Sequence, residues 1–420
     1  MKKLLTFLCL LLVFDKTQGQ ALEKLTLEES YTLANENYPQ INQRDLISKS
    51  EAYSISNAAK GIFPVLTING QESYQSDVTQ IPFQSPEMNI DPLSKHQYKV
   101  YGEVTMNLYD GGVIKNQKQS YQAGAKIDQQ KLEVELYKLN DRVNQLYFGA
   151  LLLDAQIRQN QLLRNDIERG IQRTEAAIAN GIALKSSRDV LQAERLKVNQ
   201  KLIELNAART AYLEMLGLMV GKNLEDSAIL EKPKQLVSNE VISRPELLLF
   251  DYQRQAIDVQ NKFLSTRLKP KFSIFFQGGY GRPGLNMLKN EAETYYIGGV
   301  RLHWTIASFY THKKEKALLD ISRSNIELQR ATFLYNTNLA VRSQKSEVKK
   351  IQDVLAADDE IISLREKIKN TASAQLADGV IDSNDYLREV TAEDQARQNK
   401  ILHEIQLLLA QYSLQTTTGI

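Results

Sequence analysis

The sequence predicts a mainly α chain with a small β part, built from a duplicated unit of one amphipathic strand pair and one long coiled-coil helical hairpin. Three observations predict it. The proline pairs Pro39/Pro64 and Pro245/Pro270 have the same 25-residue separation and punctuate both halves. Runs of period-two alternation follow each second proline. Heptad-spaced apolar residues then continue through proline-free stretches far longer than the ~11–12 residues of an ordinary globular helix.

Composition removes several function classes. With 52 Lys+Arg against 50 Asp+Glu, the 420-residue chain has no cationic field to hold nucleic acid. A mean hydropathy of −0.38 does not fit a bundle of transmembrane helices. A count of 19 Tyr beside a single Trp is unusual for so polar a chain.

The first segment reads as a secretory signal, residues 1–19. Met1-Lys2-Lys3 gives the positive start, Leu4 to Phe14 is an apolar run too short to span a bilayer, and Thr17-Gln18-Gly19 offers a cleavage site. Cys9 falls inside the run, so a chain cleaved there has no cysteine, no disulfide and no thiolate metal site. Cleavage also leaves equal numbers of cationic and anionic side chains.

The repeats are expected over residues 20–220 and 244–420, joined by a linker over 221–243 that contains Pro233. Strands are predicted at about 65–75 and 98–108 in the first copy, and at about 271–280 and 295–304 in the second. In each, apolar and polar residues take opposite faces: Leu66, Ile68, Gly70 and Tyr74 against Thr67, Asn69, Gln71 and Ser73; Val100, Gly102, Val104, Met106 and Leu108 against Lys99, Glu103, Thr105 and Asn107. Phe272, Ile274, Phe276 and Tyr280 share a face in the third strand, and Tyr296, Val300, Leu302 and Trp304 in the fourth. Strands of about ten residues with one apolar face suit a membrane barrel. Four strands cannot enclose an open lumen, which takes about eight or more, and open edges are not tolerated in lipid. Several chains must then close the barrel together, and three would supply twelve strands.

Long helices are predicted at about 113–179 and 186–219, then at about 310–376 and 382–415. Leu132, Leu136, Leu139, Val143, Leu146, Ala150, Leu153 and Ile157 step by four and three, a heptad seam. Val341, Val348, Leu355 and Ile362 recur every seven residues, and Ile401, Ile405, Leu408 and Tyr412 continue the pattern. The first helix would be roughly 100 Å long. Gly181 and Gly379 mark the hairpin turns, where a left-handed residue is wanted. Asp189 and Asp385 follow them at eight and six residues, so the first tip is expected to be two residues longer.

No catalytic constellation, cofactor site or metal site stands out. His403-Glu404 begins like a zinc-protease motif, but Leu407 occupies the place of the second histidine. His303 and His312 share no helix face. Gly278 to Gly284 is glycine-rich but opens no helix, and is expected as a loop between strands.

Several segments together resemble the TolC-type outer-membrane efflux proteins. LTLEESYTLANENYPQI (Leu25 to Ile41) is similar to the family's opening helix and Asn-x-Pro turn. MNLYDGGVIKNQ (Met106 to Gln117) resembles its strand-to-helix junction, with Asp110, Gly111 and Gly112 at the bend. NGIALKSSRDVLQAE (Asn180 to Glu194) and DGVIDSNDYLREV (Asp378 to Val390) resemble its two helical tips.

The resemblance implies a homotrimer: a twelve-stranded barrel in the outer membrane joined to an α-helical tunnel in the periplasm. It further implies a passive exit duct for drugs, ions or proteins in a tripartite efflux or type I secretion system. The partners would be a periplasmic adaptor and an inner-membrane transporter, docked at Gly181 and Gly379, with outer-membrane lipid around the barrel.

Asp385 aligns with an acidic position that narrows the periplasmic entrance in some members, and Arg388 stands where a second acid often occurs. Asp385, Arg388, Asp382 and Asp189 are therefore the gate candidates. Asp382 and Asp385 also suit the cap and first turn of a helix. The second junction reads Ala307-Ser308-Phe309 in place of a glycine pair, and should bend by other means. The competing reading is a soluble periplasmic coiled-coil adaptor, which would carry one hairpin between β-rich domains.

Overall fold

The computed structural model describes residues 24–79, 92–236 and 241–419. The expected signal segment and residues 80–91 lie outside them. In chain order the elements are β1 (Lys24–Leu25), α1 (Leu27–Asn37), α2 (Gln43–Ala59), β2 (Val65–Tyr74), β3 (His96–Tyr109), α3 (Val113–Tyr137), α4 (Leu139–Ala179), α5 (Lys185–Val220), β4 (Ile229–Leu230), α6 (Pro245–Ser265), β5 (Lys271–Arg282), β6 (Glu293–His303), α7 (Ser308–Ala377) and α8 (Ser383–Thr418). The chain forms two compact units. One holds Asn42–Leu132 and Glu246–Phe333, the other the remaining segments, so each unit draws on both repeats.

The first unit carries a four-stranded antiparallel sheet in the order β2-β3-β5-β6. Its register places the expected apolar residues in rows across the strands. Leu66 pairs with Val104, Val104 with Phe276, and Phe276 with Gly298. One row along, Met106 pairs with Ile274 and Ile274 with Val300. Gly298 leaves room for the Phe276 ring, which stacks on Tyr296 at 6.1 Å between centroids. This face is open: Ile68 is 79% and Val300 67% exposed. The opposite face is mainly polar, with Phe275 and Ile297 among its residues. Arg301 there pairs with Glu103 at 3.2 Å and lies over the Phe275 ring at 4.6 Å.

Two expectations about the strands are corrected. Leu108 forms a bulge, since Asn107 pairs with Ser273 and Tyr109 with Phe272. The extra residue brings Tyr109 to the register position of Phe272, their rings 6.4 Å apart. Second, β5 runs on through Arg282, so Gly278, Gly279 and Gly281 are strand and not loop. The reason is closeness to β3. A Cβ at Gly279 would lie 2.6 Å from the Tyr101 Cβ, and one at Gly281 2.8 Å from the Lys99 Cβ.

The second unit is a helical bundle with a small parallel pair, β1 on β4. Thr26 begins α1 through a capping box: its hydroxyl accepts from the Glu29 N–H (3.2 Å), and its own N–H donates to the Glu29 carboxylate (2.9 Å). The heptad residues of α4 and α5 form the core with α1 and α8. Val143, Tyr147, Phe148, Leu213, Leu216 and Leu408 are almost fully buried. Gly149 is needed for close packing, because a Cβ there would lie 2.2 Å from the Tyr212 ring.

Tyrosine hydroxyls pin this core to backbone carbonyls. Tyr137 donates to Thr416 (2.8 Å) and Tyr412 to Lys234 (3.2 Å). The Tyr147 hydroxyl lies 2.7 Å from the carbonyls of both Leu25 and Glu231. The long helix expected over 113–179 is interrupted at Lys138 (φ −64°, ψ −19°), next to the anchored Tyr137. Its counterpart α7 is continuous for 70 residues.

Candidate functional site

Two places carry the candidate residues: the paired helix turns in the bundle unit, and the strand-to-helix junctions in the sheet unit. The turns are built alike. After α4, Asn180 N–H donates to the Ala176 carbonyl, Gly181 to Ile178, and Ile182 to Ala177. After α7, Asp378 donates to Ala374, Gly379 to Leu376, and Val380 to Gln375. Both glycines are left-handed, at φ +72° and +69°. This arrangement satisfies helix-terminal carbonyls that would otherwise lack partners.

Each turn then takes the same number of residues to reach its next helix, Lys185 or Ser383. The expected two-residue extension of the first tip is therefore absent. The register between turns is 198 residues (379 − 181), not the 196 between aspartates, so Asp385 corresponds to Ser187. Asp189 sits further along α5, with its carboxylate 2.9 Å from Arg188. The two turns touch: a Cβ on Gly379 would lie 2.7 Å from Ile182 Cγ2.

Asp382 caps α8, accepting from the N–H groups of Asn384 (2.8 Å) and Asp385 (2.9 Å). Asp385 lies in the first turn, where the helix dipole favours an acid. It is 3.3 Å from Arg388, which also pairs with Glu389 at 3.0 Å. The first tip has Leu184 at the capping position and no side-chain cap.

Beyond the turns lies a charged cluster that sequence reasoning missed. Lys369 of α7 sits 3.0 Å from Asp166 of α4 and 3.4 Å from Glu393 of α8. Glu393 also meets Arg397, which reaches Glu366 at 3.2 Å. Next to it the buried Asp394 accepts from the Gln159 amide at 2.9 Å. Burial pushes the Asp394 carboxyl up to about 6, opposed by the Gln159 hydrogen bond and reinforced by the charges of Glu393 and Asp166. Burial also raises Asp166, but hydrogen bonds from Arg169 and Lys369 outweigh it and hold that carboxyl low. A signal existed: Val390, Asp394, Arg397 and Ile401 step by four, three and four, so charged residues occupy seam positions of α8. His403 lies 2.7 Å from buried Asp358.

At the first junction Asp110 uses both oxygens on the backbone, accepting from Gly112 N–H (2.7 Å) and Ile114 N–H (2.6 Å). Gly111 and Gly112 take φ +73° and +89°. At the second, Ser308, Phe309 and Tyr310 donate in succession to carbonyls three residues back, so the chain winds into α7 without left-handed residues.

The chain thus combines a two-faced sheet with long paired helices. The family model described as outer membrane efflux protein matches residues 31–221. The fold resembles that of VceC, an outer membrane protein from Vibrio cholerae, with a TM-score of 0.66 and 12% identity over 94% of this chain and 96% of that one. It also resembles the CmeC outer membrane channel of Campylobacter jejuni (0.63, 12%, 94% and 85%) and the open-state MtrE outer membrane channel of Neisseria gonorrhoeae (0.64, 12%, 94% and 88%). No curated protein matches the sequence. In sequence over residues 31–221, and in fold over 94% of its length, the chain is similar to outer membrane efflux proteins and outer-membrane channels.

Two tests follow from the turns and the cluster. Gly379→Ala and Gly181→Ala should each cost about 1–2 kcal/mol from the left-handed backbone, and Gly379→Ala should cost more because its Cβ also meets Ile182 whereas Gly181 has open space around it. Thermal unfolding checks this ordering; equal losses contradict it. Because the folded-state pKa of Asp394 is raised, its contribution is fully present below the unfolded value near 3.8 and is lost as pH rises through about 6. Asp394→Asn should remove that dependence and add about 2–3 kcal/mol at pH 8 relative to the parent chain. Parallel pH–stability curves for the two proteins would contradict the assignment.

Proposed function

We propose that three copies of this chain form a passive exit duct for drugs, ions or proteins, closing a twelve-stranded barrel and a periplasmic tunnel. An inner-membrane transporter supplies the driving force, and a periplasmic adaptor docks at the turns around Gly181 and Gly379. The duct itself performs no catalysis. The observation that carries this reading is the four-stranded sheet with one exposed apolar face and two edges, β2 and β6, each paired on one side only among the described residues. In hydrocarbon such edges need partner strands. The adaptor alternative is disfavoured by the two hairpins and by the sheet's apolar face.

Asp385 sits in the first turn of α8, 3.3 Å from Arg388, which it shares with Glu389. Three copies around an axis would still attract cations if they face the lumen. The purified protein should require detergent and give discrete conductance steps in a planar bilayer. Asp385→Ala should weaken block by divalent cations added from the tunnel side several-fold. Unchanged block leaves Asp385 as a helix acid only, and a chain that is soluble, monomeric and silent in bilayers overturns the channel reading itself.

A further inference from the structure

The two ends of the sheet differ sharply in charge. At one end β2 and β5 begin and β3 and β6 finish, as the antiparallel register requires. Residues 60–65, 109–118, 266–271 and 303–316 surround that end and contain nine Lys/Arg against two acids, Asp110 and Glu315. Both acids are already engaged. Asp110 caps α3, and Glu315 pairs with Arg267 at 3.1 Å. At the other end, residues 72–79, 92–99 and 280–293 hold four Lys/Arg against four acids. There Lys289 pairs with Glu293 at 3.0 Å and His96 lies against Glu72.

The cationic end also has a cavity of about 520 Å³, lying between the 3₁₀ turn before β2, the end of β3 and the first turns of α3. Its walls are of two kinds. Ile62, Leu108 and Tyr109 are apolar and exposed, while Lys115 and Lys118 stand one helical turn side apart on α3. Tyr109 joins the cavity to the apolar sheet face through its contact with Phe272. Exposed Phe63, Trp304, Phe309 and Tyr310 lie at the same end, where amphipathic rings suit a membrane–water interface.

We propose that this cavity binds the headgroup of an anionic phospholipid in the leaflet on the helical side of the barrel. Lys115 and Lys118 hold the phosphate, and Ile62, Leu108 and Tyr109 receive the start of the acyl chains. A free phosphate would use the lysines but not the apolar wall that continues onto the sheet. The surrounding cations enrich anionic lipid at this end and set the depth at which the barrel sits.

This inference rests on the reading that the sheet spans the membrane. The test uses the detergent-solubilised full chain and native mass spectrometry, with phosphatidylglycerol, phosphatidylcholine or inorganic phosphate added. Phosphatidylglycerol should be retained in preference to phosphatidylcholine, and inorganic phosphate should not displace it. Lys115→Gln and Lys118→Gln should each weaken retention about fivefold, corresponding to ~1 kcal/mol per cation near an anionic surface, and the Arg replacements should restore it. Equal retention of the two lipids, full displacement by phosphate, or no change in the glutamine variants overturns the proposal. The headgroup comparison on the parent chain needs no variant to fold. Conductance recorded from the same samples separates the outcomes, since a conducting channel without lipid preference sinks this inference alone.

Discussion

Backbone hydrogen bonding at the sheet edges is the constraint on which the rest depends. A four-stranded sheet leaves a row of N–H and C=O groups on the outer side of β2 and another on the outer side of β6. In water these are solvated; in hydrocarbon each costs several kcal/mol. In the proposed duct, the exposed rows of Leu66, Ile68, Ile274, Phe276 and Val300 are the face that meets hydrocarbon. The two facts together demand further strands, and a cyclic arrangement of identical sheets supplies them without leaving an edge. The mainly helical remainder, polar on its outer faces, reconciles a mean hydropathy below zero with the proposed membrane barrel.

The bundle unit meets a different demand, namely holding long, polar helices in fixed register. Leucine seams are permissive to sliding by a heptad, since each step offers similar contacts. Two devices here are not permissive. Tyr137, Tyr147 and Tyr412 donate to specific backbone carbonyls, which accounts for part of the tyrosine excess. The cluster of Asp166, Lys369, Glu393 and Arg397 satisfies its charges only when α4, α7 and α8 are aligned. Other tyrosines, such as Tyr335, remain exposed.

What was legible in the sequence was periodic. Strict alternation gave the strand faces, because a one-residue slip would turn every side chain over. The heptads of α4 and the seam of α8 gave the buried stripes. What escaped was set by contacts between elements distant in sequence. The Leu108 bulge exists only in the pairing of β3 with β5, and the glycines of β5 answer to side chains of β3. Aligning the two aspartates gives the wrong tip register, because the turns are defined by their left-handed glycines. Of the gate candidates, Asp382 and Asp385 have clear local roles at the start of α8, and Asp189 belongs to a different helical position from Asp385. The buried charges were visible only as interruptions of a seam, and nothing local says which partners meet them.

Edge closure between copies is the central claim and can be read directly by cross-linking. The sole native cysteine, Cys9, lies in the expected signal segment, so new cysteines would report without background. Single cysteines along β2, combined in the same chain with single cysteines along β6, should be oxidised in isolated outer membranes. Disulfides linking β2 of one copy to β6 of the next, and stopping at a covalent trimer, are the predicted result. Absence of such links, β2-to-β2 links, or an open-ended ladder of larger species would contradict the account.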